Sequence, residues 1–209
     1  MSSSAGLFFS LLYKKIVMKK ILIINGHPNA VSLGNALHLA YRAGALESNA
    51  EVNEIRIGEL QFNPNLQYGY QQRTELEPDL LLAWEKIQWA DHLVWIHPVW
   101  WGGWPAIMKG FVDRLFLPGM AFKYRENSVW WDKLLAGKTA RIITTMDQPT
   151  WYYRLMSGAP SIRQLKNSTL GFCGVKPVRV TAFGPVRGAS ATKIEGWIKA
   201  VRLLGHQQR

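Results

Sequence analysis

Apolar residues in this chain form short unbroken runs, separated by stretches in which they recur every three or four positions. Lys20-Ile21-Leu22-Ile23-Ile24-Asn25, His92-Leu93-Val94-Trp95-Ile96, Ala140-Arg141-Ile142-Ile143-Thr144 and Val178-Arg179-Val180-Thr181-Ala182 read as strands covered on both faces, as in a parallel sheet. Val52-Asn53-Glu54-Ile55-Arg56 is a weaker candidate for an edge strand. Between the runs the spacing is helical. Ser32 stands where an N-cap belongs before Leu33 to Glu47, and Pro78 and Pro105 stand at first-turn positions, where a missing N–H costs nothing. After Pro105, the apolar residues Ile107, Met108, Phe111, Val112, Leu115 and Phe116 share one face. Lys109 and Asp113 pair on the other, and Leu117-Pro118-Gly119 stops the helix. Ile194, Trp197, Ile198, Val201 and Leu204 form the stripe by which a last helix packs on the sheet.

Five strands alternating with helices predict an α/β fold with a doubly wound parallel sheet, in strand order 2-1-3-4-5 or as half of a dinucleotide-binding domain. The glycines separate these. Gly26-His27-Pro28-Asn29-Ala30-Val31-Ser32 lacks the G-x-G-x-x-G turn, and Gly137-Lys138-Thr139 lacks the first glycine of a P-loop and is followed by a strand. Order 2-1-3-4-5 places the ligand beyond the carboxyl ends of strands one and three, where the order reverses.

Three unusual loops would meet there. The first ends at a helix N-terminus, which favours an anion, and His27, Ser32 and Asn35 can add donors. The second carries Trp100, Trp101 and Trp104 around Gly102-Gly103; indoles at a strand end suit a flat ligand, and glycines let the backbone approach it. Thr144 to Tyr153 offers hydroxyls, the carboxylate of Asp147 and more aromatics. Asp147 alone, in a turn before proline, reads equally as a turn former.

Composition narrows the classes. The 48% apolar and 19% charged residues suit a globular protein, and no apolar run is long enough to span a bilayer. Met1 to Val17 has a short apolar patch but neither the charge order nor the cleavage site of a secretion signal. It reads as a leader outside the fold, with Met18 as an alternative start and residues 18–209 as the domain. The single cysteine, Cys173, permits no internal disulfide or cysteine metal cluster and points to the cytoplasm. No zinc or serine-hydrolase motif is present, and no metal is expected. The net charge of +11 is scattered rather than gathered into a stripe, which argues against nucleic acid as partner.

Gly26-His27-Pro28 with Ser32, Pro98-Val99-Trp100-Trp101-Gly102 with Pro105-Ala106-Ile107-Met108-Lys109-Gly110, and Thr144-Thr145 with Tyr152 together resemble the NAD(P)H quinone oxidoreductases of the flavodoxin-like fold. The resemblance implies a flavin held by His27, Ser32, Leu33 and Asn35, by Pro98, Val99, Trp100, Trp101 and Gly102, and by Thr144, Thr145, Met146 and Asp147. It implies Tyr152 as the catalytic residue, NADPH or NADH as donor, a quinone-like acceptor and a homodimer. The best-known animal members have paired glycines where Met146-Asp147 stand and a histidine where Gly158 stands, so that histidine's role is not carried over. They also bind FAD and carry a C-terminal extension; this shorter form resembles bacterial relatives, for which FMN is expected, with FAD the alternative. Some relatives are instead ancillary subunits of potassium-efflux transporters, which is the alternative function.

Overall fold

The computed structural model describes residues 18–209; the leader assigned to residues 1–17 lies outside the described residues. In chain order the elements are β1 (Lys20–Asn25), α1 (Leu33–Glu47), β2 (Glu51–Arg56), α2 (Pro78–Trp89), β3 (His92–Pro98) and α3 (Ala106–Leu115). Then follow β4 (Phe122–Tyr124), β5 (Trp131–Lys133), β6 (Thr139–Thr145), α4 (Thr150–Leu155) and α5 (Pro160–Arg163), which runs on as a π-helix over Gln164–Gly171. β7 (Val178–Phe183) and α6 (Ala191–His206) complete the fold.

The five long strands form one parallel sheet in the order β2-β1-β3-β6-β7, which is 2-1-3-4-5 counted over those strands. The pattern of their side chains explains the two layers of helices. Leu22, Ile24, Leu93, Trp95 and Ile142 point to the face covered by α2 and α3, while Ile21, Ile23, Val94, Ile96 and Ile143 point to the face covered by α1 and α6. Both faces are therefore apolar, as continuous runs require, and only the edge strands β2 and β7 are mostly half-buried. Asn25 pairs with Ile96 and His97 with Thr144, so β1, β3 and β6 finish almost level. Their three following loops open on one edge.

Two local features differ from the expectations, and a third answers to none. Pro105 is the residue before α3, not its first-turn residue, and its extended ψ of 140° sets the entry of the chain. β4 and β5 form a separate antiparallel pair after α3. Each is three residues long and mostly exposed, too short for its periodicity to register. Finally, the irregular segment between residues 60 and 77 is strapped down by Arg114, a buried side chain whose guanidinium donates to the Glu75 carbonyl (2.7 Å) and the Glu77 carboxylate (2.8 Å). Among the described residues no helix is long and apolar enough to cross a membrane.

Candidate functional site

A cleft of about 420 Å³ lies where the loops after β1, β3 and β6 meet. Its lining includes nine of the residues singled out in the sequence: His27, Ser32, Leu33, Pro98, Val99, Trp100, Thr145, Met146 and Asp147. It also includes Asn29, Val31, Gly34 and Val186, which sequence reasoning missed. Val186 arrives from the loop after β7, donating its N–H to the Met146 carbonyl (3.0 Å). That loop has no unusual composition, so only its place at the same sheet edge could have flagged it.

The first wall is a chain of local hydrogen bonds. The buried Asn25 side chain accepts from the His27 N–H (3.0 Å), His27 Nδ1 accepts from the Asn29 N–H (3.0 Å), and Asn29 Oδ1 accepts from the Val31 N–H (2.8 Å). Because Nδ1 is an acceptor, the neutral His27 ring carries its proton on Nε2 and can donate there. Burial holds this imidazole below its ordinary pKa. Ser32 caps α1 as expected, accepting from the Asn35 N–H (3.2 Å) while donating to the Asn29 carbonyl (2.9 Å). Its hydroxyl is thus spent on the turn. Leu33 and Gly34, whose first-turn N–H groups no intrahelical carbonyl can reach, line the cleft instead.

The second wall begins at Trp100, whose indole meets His27 edge-on at 5.6 Å. Trp100 and Gly103 exchange main-chain hydrogen bonds (3.0 and 2.9 Å) around Trp101 and Gly102, which sit at φ 50° and 77°. This is a tight type I′ turn, whose positive φ values suit Gly102 and strain Trp101. Trp101 is fully exposed at its tip and, like Gly102, lies outside the cleft lining. Trp104 is core: it is buried, and its indole donates to the Ser161 carbonyl (2.9 Å).

On the third wall Asp147 accepts from the Arg187 N–H (2.8 Å), tying the loop after β6 to that after β7. Three further singled-out residues stand back from the lining. Thr144 is wholly buried beneath it, Asn35 is one turn into α1, and Tyr152 is 44% exposed on α4, edge-on to Trp151 at 5.8 Å. Thr144 Oγ1 and Asn35 Oδ1 are both buried without a hydrogen-bond partner. Gly158, in the position of the missing histidine, has φ 69°, a conformation that would strain any side chain there.

His97, next to Pro98 at the end of β3, is buried. Its Nδ1–H donates to the Pro98 carbonyl (2.9 Å), and burial lowers its pKa to about 4; burial likewise takes His92, at the far end of β3, to about 3. Both are neutral in the fold, whereas the unfolded chain protonates them near pH 6.5. Their contribution is full above pH 6.5 and is lost as the pH falls towards 4, because there the unfolded state binds more protons. The melting temperature should fall across that window, and less steeply for His97→Gln; a parallel fall in both proteins would contradict the assignment.

The flavodoxin-like fold family matches residues 19–202. The chain is 30% identical over 171 residues to an uncharacterized NAD(P)H oxidoreductase of Haemophilus influenzae, covering 79% of this chain and 83% of that one. An NAD(P)H:quinone oxidoreductase from Methanothermobacter marburgensis has a TM-score of 0.79 at 22% identity, covering 92% of this chain and 100% of the other. An FMN-dependent NADH-azoreductase from Bacillus anthracis, in complex with FMN, has a TM-score of 0.69 at 18% identity, covering 91% and 99%. This chain belongs to the family of the flavodoxin-like fold.

Proposed function

We propose that the protein is a flavin-dependent NAD(P)H oxidoreductase that passes reducing equivalents to a quinone-like acceptor. One observation carries the reading: an anion-seeking helix N-terminus and an aromatic loop share a cleft at the point where strand order reverses. The oxidoreductase names of the relative and of the two solved structures support it.

The chain's groups fit a flavin. The Leu33 and Gly34 N–H groups and His27 Nε2 would hold a phosphate, and the buried oxygens of Asn35 and Thr144 lack a protein partner. Pro98, Val99 and Trp100 would flank the ring on one side, with Thr145, Met146 and Asp147 opposite. A bound flavin supplies hydride transfer between donor and acceptor. Tyr152 would donate a hydrogen bond towards the charge that develops there. FMN is favoured over FAD by the FMN-bound neighbour, and NADPH or NADH serves as donor.

The protein would act as a homodimer, in which exposed Trp101, Tyr124, Trp130, Trp151 and Met156 are candidates for the covered surface. The buried free thiol of Cys173 suits a reducing compartment, and we place the protein in the cytoplasm. The purified protein should be yellow, release FMN by mass, and oxidise NADPH or NADH when benzoquinone is present. Tyr152→Phe should lower acceptor turnover about ten-fold or more, the scale of one hydrogen bond to a developing charge, with flavin still bound. A colourless protein that takes up no flavin on reconstitution would sink the proposal.

A further inference from the structure

The tryptophan turn is held from beneath by a network that the proposed chemistry does not use. Tyr153 is wholly buried, packed with Met146, Ala159 and Ile162. Its hydroxyl lies 3.0 Å from the Gly102 carbonyl, 2.6 Å from Ser161 Oγ and 3.0 Å from the Ser161 N–H. The protons can be assigned. A carbonyl only accepts, so the phenol donates to Gly102, and its two lone pairs take the Ser161 hydroxyl and N–H. Ser161 N–H also reaches the Gly102 carbonyl (3.1 Å), and the Ser161 carbonyl accepts from the Trp104 indole. One tyrosine and one serine thus fasten both ends of the segment 102–104.

The turn needs fastening. Trp101 is held in a left-handed conformation that an L side chain avoids, and its exposed indole has no packing to keep it there. Tyr153 is also the immediate neighbour of Tyr152 on α4: one ring points out, the other in. The same short helix therefore carries both the outward tyrosine and the latch on the turn.

We propose that Tyr153 and Ser161 are positioning residues: they fix the Trp101-Gly102 turn relative to Tyr152 and so set the width of the slot that a flat acceptor enters. This rests on reading the cleft as a flavin site. Tyr153→Phe keeps the ring's packing and removes only the hydroxyl, with Ser161→Ala as the second variant should the first not fold.

Fluorotryptophan-labelled protein, with the Trp101 signal assigned by Trp101→Phe, should show that signal shifted or broadened in Tyr153→Phe, while the signal of buried Trp95 stays. With flavin bound, KM for benzoquinone should rise about five-fold, the scale of one lost neutral hydrogen bond, with the rate of flavin reduction by nicotinamide unchanged. An unmoved Trp101 signal overturns the latch. A moved signal with unchanged KM, or with KM and flavin reduction altered together, overturns the slot. If the wild type binds no flavin, the reading of the site fails and the slot with it, and the fluorine spectrum still decides the latch.

Discussion

Gly34→Asp is expected to weaken FMN binding by about two orders of magnitude in a protein that remains folded. Gly34 occupies the second helical position of α1, where a carboxylate stabilises a helix by about 0.3–1 kcal/mol through the dipole. A Cβ there would meet His27 Cβ at 3.4 Å and Ser32 Oγ at 3.7 Å, contacts that require little movement. The new charge would stand where the phosphate charge is proposed to sit. Two like charges about 4 Å apart repel by about 4 kcal/mol at an effective dielectric of about 20, and partial screening still leaves a hundred-fold effect. Gly34→Asn, of equal size and no charge, should stay within about ten-fold of the wild type. Fluorescence titration with FMN measures both, and equal affinities for the two variants would remove the phosphate from this helix.

Gly44→Ala is expected to destabilise the fold by about 3 kcal/mol or more, lowering the melting temperature by roughly 6–12 °C. In an open helix the same change would stabilise by about 1 kcal/mol, so the sign is diagnostic. α1 and α6 cross at Gly44 and Gly205. A Cβ on Gly44 would lie 1.9 Å from the Arg202 carbonyl oxygen, and one on Gly205 would lie 2.1 Å from the Tyr41 carbonyl oxygen. Both obstacles are backbone, so the helices themselves must separate. Because α1 begins at the cleft, that separation should also weaken flavin binding. A raised melting temperature in thermal denaturation would contradict the crossing.

What was legible in the sequence follows from the strength of each physical signal. Strands buried on both faces leave unbroken apolar runs, and Ile21 to Ile24 and Leu93 to Ile96 are such runs. Ser32 was legible because capping uses a specific side chain at a specific place. The hairpin of β4 and β5 was not, since Phe122-Lys123-Tyr124 is too short for an alternation to be read. The tryptophan loop was legible as unusual, but its division of labour depends on tertiary contacts. Trp100 lines the cleft, Trp101 caps a strained turn and Trp104 is core, and nothing in Trp-Trp-Gly-Gly-Trp distinguishes the three. The Tyr153–Ser161 network joins residues from two separate short helices and leaves no motif at all.

The central claim is that the N-terminus of α1 binds the phosphate of a flavin whose ring lies against the aromatic loop. Titrating the flavin-free protein in parallel with FMN and with riboflavin, which lacks only the phosphate, tests it most directly. The account predicts that FMN binds about a hundred-fold tighter or more, with the advantage shrinking at high salt. Equal affinity for the two flavins, or binding of neither, would contradict it.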